Sequence, residues 1–145
     1  MILITGAAGK TGRAVIRALA KSGEPVRALA HRPDQVSCLA ALGVENVIVG
    51  DLLDESVYDR LPDVPNVFYL AGMKFGAAGN QPLTWAMNVL MPALVARRYN
   101  RSRIVALSTG NVYPFVDLRS GGSREQDAPG PVGEYAQSCL GRERM

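Results

Sequence analysis

The start of the chain, an apolar run followed by a glycine-spaced turn and an amphipathic stretch, most constrains the fold. Residues 2–4 are aliphatic, glycines follow at positions 6, 9 and 12, and apolar residues then recur at helical spacing. This pattern predicts a buried strand, a tight turn and a helix. Glycines so spaced permit a sharp turn, close approach of backbone N–H groups to a pyrophosphate, and close helix packing. The helix N-terminus would add N–H donors for phosphate.

These glycines have two other possible interpretations. The stretch Gly9-Lys10-Thr11 resembles the end of a P-loop, which grips the phosphates of a nucleoside triphosphate. That loop requires a glycine five positions before Gly9, where this chain has Ile4. The spacing therefore excludes a P-loop, and a plain tight turn remains the alternative.

Composition favours one globular domain in the cytoplasm. The chain has 145 residues, 48% of them hydrophobic, two cysteines and a net charge of +3. It has no basic leader and no uninterrupted apolar run of about 20 residues, so we expect neither a secretory signal nor a membrane span. The arginines at 97, 98, 101 and 103 suit a helix C-terminus better than a nucleic-acid surface, because Tyr99 is the only aromatic residue among them. No metal site is predicted.

Strand and helix patterns alternate along the rest of the chain. Short apolar segments without strict alternation indicate strands buried on both faces. We therefore predict an α/β, Rossmann-like, doubly wound parallel sheet ordered 3-2-1-4-5, with a ligand cleft at the carboxyl ends of the strands. Pro92 is expected to kink or break its helix. The predicted strands are 2–5, 25–30, 44–49, 64–71 and 103–108, and the predicted helices are 13–20, 33–42, 54–61, 83–99 and 134 onward, with a loop over 110–133.

Six motifs then follow one another along the whole chain. They are Thr5-Gly6-x-x-Gly9-x-x-Gly12, Gly50-Asp51-Leu52, Leu70-Ala71-Gly72-Met73-Lys74, Asn88, Ser108-Thr109-Gly110-Asn111-Val112-Tyr113 and Tyr135-Ala136-Gln137-Ser138-Cys139. In this order and spacing they resemble the motifs of the extended short-chain dehydrogenase/reductase family, the group of nucleotide-sugar epimerases and dehydratases. The resemblance implies an NAD(P)-binding Rossmann domain over residues 1–145.

The resemblance also implies roles for individual residues. Asp51 and Leu52 would flank the adenine, and Lys74 would reach the pyrophosphate. Thr109 would orient or polarise the substrate, and Tyr135 would be the acid/base as a hydride moves to or from the nicotinamide. The expected catalytic residues are Thr109 and Tyr135, and the expected cofactor-binding residues are Gly6, Ala8, Gly9, Lys10, Thr11, Gly12, Arg32, Asp51, Leu52, Ala71, Gly72, Lys74 and Asn88.

Each of the less specific site residues also has a purely structural interpretation. Asp51 could cap a strand end, Asn88 could hydrogen-bond a neighbouring loop, and Lys74 could be a solvated loop charge. Thr109 could be an ordinary strand former and Tyr135 a helix-surface aromatic.

The chain departs from the family pattern at Cys139 and in its length. Cys139 stands where the family has a lysine that lowers the pKa of the tyrosine, and a neutral thiol gives little such help. Arg142 lies seven residues beyond Tyr135 on the same helical face, but we expect it to reach only the preceding turn. Family members continue past Met145, so we expect a cofactor-binding half with exposed apolar surface, which favours a homodimer or poor solubility.

The end of the second strand favours NADP over NAD. NAD-binding proteins of this fold usually carry an acidic residue there, whereas this chain has no acid before Asp34. Arg32 can pair with a 2′-phosphate, although it could also be a solvated charge.

These inferences predict an NAD(P)-dependent oxidoreductase, epimerase or dehydratase that acts on a hydroxyl or carbonyl group of a small molecule, with nucleotide sugars as one substrate class. A non-catalytic NADP-binding sensor is the main alternative, favoured by Cys139. An inactive cofactor-binding fragment is the third.

Overall fold

Five parallel strands form the sheet in the computed structural model, which describes residues 1–73 and 79–145. The strand order is β3-β2-β1-β4-β5, and every pairing in it is parallel. The predicted fold class and strand order are therefore confirmed. The strands are β1 (Ile2–Thr5), β2 (Val26–Ala30), β3 (Asn46–Val49), β4 (Asn66–Tyr69) and β5 (Arg103–Ala106).

The helices follow the predicted alternation, with differences at their ends. The predicted helix over 33–42 begins as a 3₁₀ turn with Pro33 at its first position, where a proline is tolerated because no N–H is needed there. The predicted helix over 54–61 is wholly 3₁₀, and the Asp54 side chain caps it by accepting from the Ser56 amide at 3.0 Å. The helices are α1 (Lys10–Lys21), α2 (Val36–Ala40), α3 (Gln81–Trp85), α4 (Met91–Arg98) and α5 (Gly133–Arg142), and 3₁₀ turns cover Pro33–Gln35, Glu55–Arg60, Gly110–Val112 and Leu118–Ser120.

A π-helical turn (Ala86–Leu90) separates α3 from α4. Pro92 has no N–H to donate to the Asn88 carbonyl one turn earlier, and its ring would clash with that carbonyl in a regular α-helix. The wider turn avoids this clash, and the Met91 amide donates to the Ala86 carbonyl five residues back. The predicted interruption at Pro92 is confirmed in the form of this π turn.

The described chain divides into two compact units. The first, here called the sheet unit, comprises Met1–Gly72 and Leu94–Leu107, and the second, here called the α5 unit, comprises Met73–Ala93 and Ser108–Met145. In the sheet unit, Ile2 and Ile4 of β1 point to one face, where they join a buried cluster with Ile16 of α1. No helix in the described part of the chain is long and apolar enough to cross a membrane.

Candidate functional site

Gly6 shapes the turn between β1 and α1. Its φ of +62° lies in the left-handed region. A Cβ added there would lie 2.7 Å from the carbonyl carbon and oxygen of Leu70 and 2.8 Å from the Ala71 nitrogen. The Thr5 hydroxyl also accepts a hydrogen bond from the Leu70 amide at 3.3 Å. The turn therefore lies directly beside the end of β4, and glycine alone fits there without strain.

Gly12 lets α1 begin close to this turn. A Cβ on Gly12 would lie 2.5 Å from the Ala7 carbonyl oxygen and closer still to that of Gly6. The Arg13 amide donates to the Gly9 carbonyl at 3.0 Å. The amides of residues 10–12 consequently lie at the helix N-terminus, where backbone N–H groups have no carbonyl acceptor within the helix. These amides and the helix dipole form a surface suited to a pyrophosphate.

The carboxyl ends of the first four strands lie at one edge of the sheet. Thr5 of β1 pairs with Tyr69 of β4, and Ala30 of β2 pairs with Val49 of β3. The Gly50 amide continues the second ladder by donating to the Ala30 carbonyl at 2.9 Å. The predicted site residues that follow these strands are therefore gathered at the edge where open α/β sheets bind their ligands.

At the end of β2, Arg32 pairs with Asp34 rather than projecting alone into solvent. Its Nε donates to Oδ1 and its Nη2 to Oδ2 of Asp34, each at 3.0 Å. The hydrogen bond from Arg32 holds the pKa of the Asp34 carboxyl below its usual value. Both side chains are more than half exposed, at 61% and 64%. Gln35 fixes the backbone here, because its Oε1 accepts from the His31 and Arg32 amides.

At the end of β3, Asp51 closes a local turn. Its Oδ1 accepts from the Leu53 amide at 2.9 Å, which is the capping role that sequence reasoning left open. Leu52 is buried, and its carbonyl accepts a hydrogen bond from the Tyr58 hydroxyl at 2.8 Å. Of the remaining predicted cofactor-binding residues of the sheet unit, Ala8 and Ala71 are half-buried, whereas Gly9, Lys10, Thr11 and Gly72 are exposed. Lys74 lies outside the described residues.

In the α5 unit, Asn88 is fully buried within the π turn and uses its whole hydrogen-bonding capacity. Its Oδ1 accepts from the Met73 amide at 2.9 Å and from Arg142 Nη2 at 3.0 Å. Its Nδ2 donates to the Met73 carbonyl at 3.2 Å and to Ser138 Oγ at 3.0 Å. Asn88 thus hydrogen-bonds a neighbouring segment, as its structural interpretation predicts, and it fixes Met73 from both sides.

Thr109 and Tyr135 are brought together in the same unit. The Thr109 hydroxyl accepts from the Asn111 amide at 3.3 Å and hydrogen-bonds the Tyr135 phenol. Burial is the main cause that raises the pKa of Tyr135, and the neighbouring Cys139 sulfur raises it further. The hydrogen bond from Thr109 and the positive charge of Arg142 act in the opposite direction. The phenol is therefore protonated at neutral pH.

Arg142 folds back along α5 toward Cys139. Its Nη2 lies 3.4 Å from the Cys139 sulfur as well as 3.0 Å from Asn88 Oδ1. Cys139 itself is buried. Helical side chains tilt toward the N-terminus, so a long side chain at 142 naturally covers the turn that contains residue 139.

Sequence reasoning missed Ser138 and undervalued Arg142. Ser138 Oγ donates to the Tyr135 carbonyl at 2.9 Å and accepts from Asn88, which fixes the face of α5 that carries the tyrosine. A serine that bonds back to a carbonyl three residues earlier is a common pattern in helices, so the hydrogen bond of Ser138 to Tyr135 could have been predicted from the sequence. The hydrogen bond between Ser138 and Asn88 could not, because it depends on the π turn.

The family assignment agrees with this geometry. A family model described as "NAD dependent epimerase/dehydratase family" matches residues 2–144. The protein belongs to this family of NAD-dependent epimerases and dehydratases, as the motif resemblance predicts.

Individual relatives are similar over most of this chain. Sterol demethylase protein B of Methylococcus capsulatus is 34% identical over 111 residues, which cover 74% of this chain and 34% of that protein. The structure of MoeE5 in complex with UDP-glucuronic acid and NAD is 30% identical, with a TM-score of 0.81, over 99% of this chain and 47% of the other. A short-chain dehydrogenase/reductase superfamily protein from Agrobacterium tumefaciens with bound NAD is 29% identical, with a TM-score of 0.78, over 99% and 43%.

This chain is therefore much shorter than the relatives it matches. It spans about a third of the curated protein and less than half of either solved chain.

Proposed function

We propose that the chain is the dinucleotide-binding part of an NAD(P)-dependent oxidoreductase, epimerase or dehydratase that acts on a hydroxyl or carbonyl group by hydride transfer. The observation that carries the proposal is the glycine turn at the carboxyl edge of the sheet, where Gly6 and Gly12 leave no room for a Cβ. The bound NAD of the solved relatives supports the cofactor, and the UDP-glucuronic acid bound to MoeE5 supports a nucleotide sugar as the substrate class.

The residues at this edge fit a dinucleotide. The amides of residues 10–12 would hold the pyrophosphate, and Asp51 with Leu52 would flank the adenine. Asn88 is buried, so its contribution would be to fix Met73, next to Gly72 at the end of β4, rather than to touch the cofactor. The nicotinamide, when bound, supplies the hydride acceptor or donor.

Tyr135 would move the proton that accompanies the hydride. In the direction of reduction, its phenol gives a proton to the carbonyl oxygen, and in the reverse direction the phenolate takes a proton from the hydroxyl. The raised pKa of Tyr135 suits the acid role, because the phenol is protonated at neutral pH. The Thr109 hydroxyl would polarise the same oxygen and favour the phenolate when the reverse reaction runs.

The proposal is tested with the whole chain, NAD⁺ or NADP⁺ as hydride acceptor, and UDP-glucuronic acid, which carries sugar hydroxyls, as probe substrate. Tyr135→Phe should abolish turnover while cofactor binding, followed by fluorescence, stays intact. Thr109→Ala should reduce turnover about 10²-fold or more, since it removes one donor to the reacting oxygen. Tyr99→Phe is the matched control, because it removes a phenol hydroxyl elsewhere in the chain. Full activity in Tyr135→Phe would overturn the tyrosine mechanism.

From the residues at the end of β2, we propose that the chain prefers NADP to NAD as its cofactor. An acid at the end of this strand would repel a 2′-phosphate, whereas Arg32 can bind one. Arg32 is held by Asp34, but exposed ion pairs contribute little free energy, so a dianionic phosphate can compete for the guanidinium.

This preference is tested by the dissociation constants of NADPH and NADH. Arg32→Ala should weaken NADPH binding about ten- to a hundredfold, because a charge-assisted hydrogen bond is lost. Asp34→Asn should strengthen NADPH binding, because it releases Arg32 and removes a negative charge. Neither change should alter NADH binding as strongly, and equal affinities of the unaltered chain for both cofactors would contradict the preference.

A sensor that binds NADP without turnover is the second candidate. The observation in its favour is Cys139 beside Tyr135, where the family has a lysine, together with the raised pKa of that tyrosine. Tight NADPH binding without turnover of any nucleotide-sugar or carbonyl substrate would select the sensor.

A further inference from the structure

We propose that Arg142 is a positioning residue that acts on Tyr135. The Arg142 guanidinium, held by Asn88, supplies a positive charge that stabilises the phenolate form of Tyr135. The inference rests on the proposed function, since it concerns the group that would move the proton. It begins from the spacing on α5. Residues 135, 139 and 142 share one face of the helix, so the Cys139 thiol has Tyr135 one turn before it and Arg142 one turn after it.

The guanidinium is held in place by two contacts. Arg142 Nη2 donates to Asn88 Oδ1 at 3.0 Å and lies 3.4 Å from the Cys139 sulfur. Asn88 cannot turn away, because its other hydrogen bonds fix it to Met73 and Ser138. A buried amide with all of its partners therefore anchors the charge, which is unlike a long side chain on an open surface.

Among the described residues, the elements packed most closely against α5 bring no charged group to this position. The segments packed most closely against α5 are Gln81–Trp85, Ala86–Leu90 and Gly110–Val112, and their sequences contain no ionisable side chain. On α5 and its end, Glu134 accepts from the Trp85 indole at 2.6 Å, and Glu143 accepts from the Ser108 hydroxyl.

The groups that face Tyr135 within this unit have opposite effects on the pKa of its phenol. Burial and Cys139 raise the pKa of the phenol, whereas Thr109 and Arg142 lower it. Thr109 acts by a hydrogen bond, and Arg142 is, in the described part of the unit, the contributor that carries a positive charge. Loss of that charge should make the phenolate harder to form.

The test replaces Tyr135 with a fluorinated tyrosine, whose more acidic phenol titrates where the chain is folded, and follows its ¹⁹F resonance against pH. Arg142→Gln should move the midpoint up by about one pH unit, the size expected for removal of a neighbouring charge. Arg142→Lys should retain most of the original midpoint. Arg144→Gln is the matched control, because this exposed arginine two residues away should leave the midpoint unchanged.

If Arg142→Gln does not fold, as judged by circular dichroism, Arg142→Met provides a neutral side chain of similar length. A midpoint that is the same in the neutral variant and in Arg144→Gln would overturn the inference, as would a Lys variant that shifts as far as the neutral one. The titration requires neither cofactor nor substrate. Absence of NADPH binding and turnover would therefore overturn the proposed function while the titration still decided the role of Arg142.

Discussion

Gly6 carries two constraints that a pair of substitutions separates. Its positive φ would strain any other residue, and a Cβ would press on the Leu70 carbonyl at 2.7 Å. Gly23 has a similar φ of +70° but nothing within 4 Å of an added Cβ. Gly23→Ala should therefore cost about 1–2 kcal/mol of unfolding free energy, from backbone strain alone.

Gly6→Ala should cost about 1–3 kcal/mol more than Gly23→Ala, because the end of β4 has to move. Urea denaturation of both variants measures the difference. Equal losses would mean that the backbone at Leu70 yields freely, and the close approach of the turn to β4 would then carry no energetic weight.

How well the roles of these residues could be predicted depended on how far apart in the sequence their interaction partners lie. The glycine turn could be predicted because the spacing of its glycines is typical of a tight turn between a strand and a helix. The pairing of Arg32 with Asp34 could not be predicted, because the same sequence allows Arg32 either to project into solvent or to pair with Asp34. Arg142 was underestimated for a related reason, since its anchor, Asn88, lies 54 residues earlier in the chain.

Among the elements, the π turn can be stabilised by Pro92 or by the hydrogen bonds of Asn88. Pro92 removes one α-helical hydrogen bond, but buried Asn88 makes four side-chain hydrogen bonds that depend on the turn. Each such bond contributes about 0.5–1.5 kcal/mol, so the network outweighs the single backbone bond that an alanine at 92 could regain.

Asn88→Ala should therefore destabilise the chain by about 2–4 kcal/mol, whereas Pro92→Ala should cost about 1 kcal/mol or less and keep the turn. Urea denaturation measures both losses. The Asn88 side-chain amide resonances should stay in place in Pro92→Ala. A larger loss for Pro92→Ala would show that the proline holds the turn and that the network merely uses it.

The strand and helix order was predictable from apolar segments that alternate with turn signals. The π turn as such was not, because a helical apolar pattern of period 3.6 does not show where one residue is added. Pro92 marked the place of the disturbance, but the geometry of the turn depends on hydrogen-bond partners in Met73 and α5 that no local pattern specifies.

At the scale of the whole molecule, β5 presents apolar side chains at the edge of the sheet. Val105 and the neighbouring Leu107 are 47% and 46% exposed. Exposed apolar edge strands favour pairing with further chains. We therefore expect self-association of the 145-residue chain, and Val105→Lys should weaken it.

Light scattering after size exclusion, over a tenfold range of concentration, measures this association. Asn46→Lys on β3, at the opposite edge, serves as the control and should leave the association unchanged. A chain that is monomeric throughout the concentration range would contradict the expectation.

The π turn also has a consequence for the history of this gene. A π turn accommodates one residue more than an α turn of the same rise, so deletion of a single codon within 86–90 would shift the two ends of this helix relative to each other by one residue. Because Pro92 would still clash with the carbonyl four residues earlier, that deletion alone would not yield a regular helix. The Asn88 network and Pro92 therefore have to change together in any variant of this gene that carries an ordinary helix here.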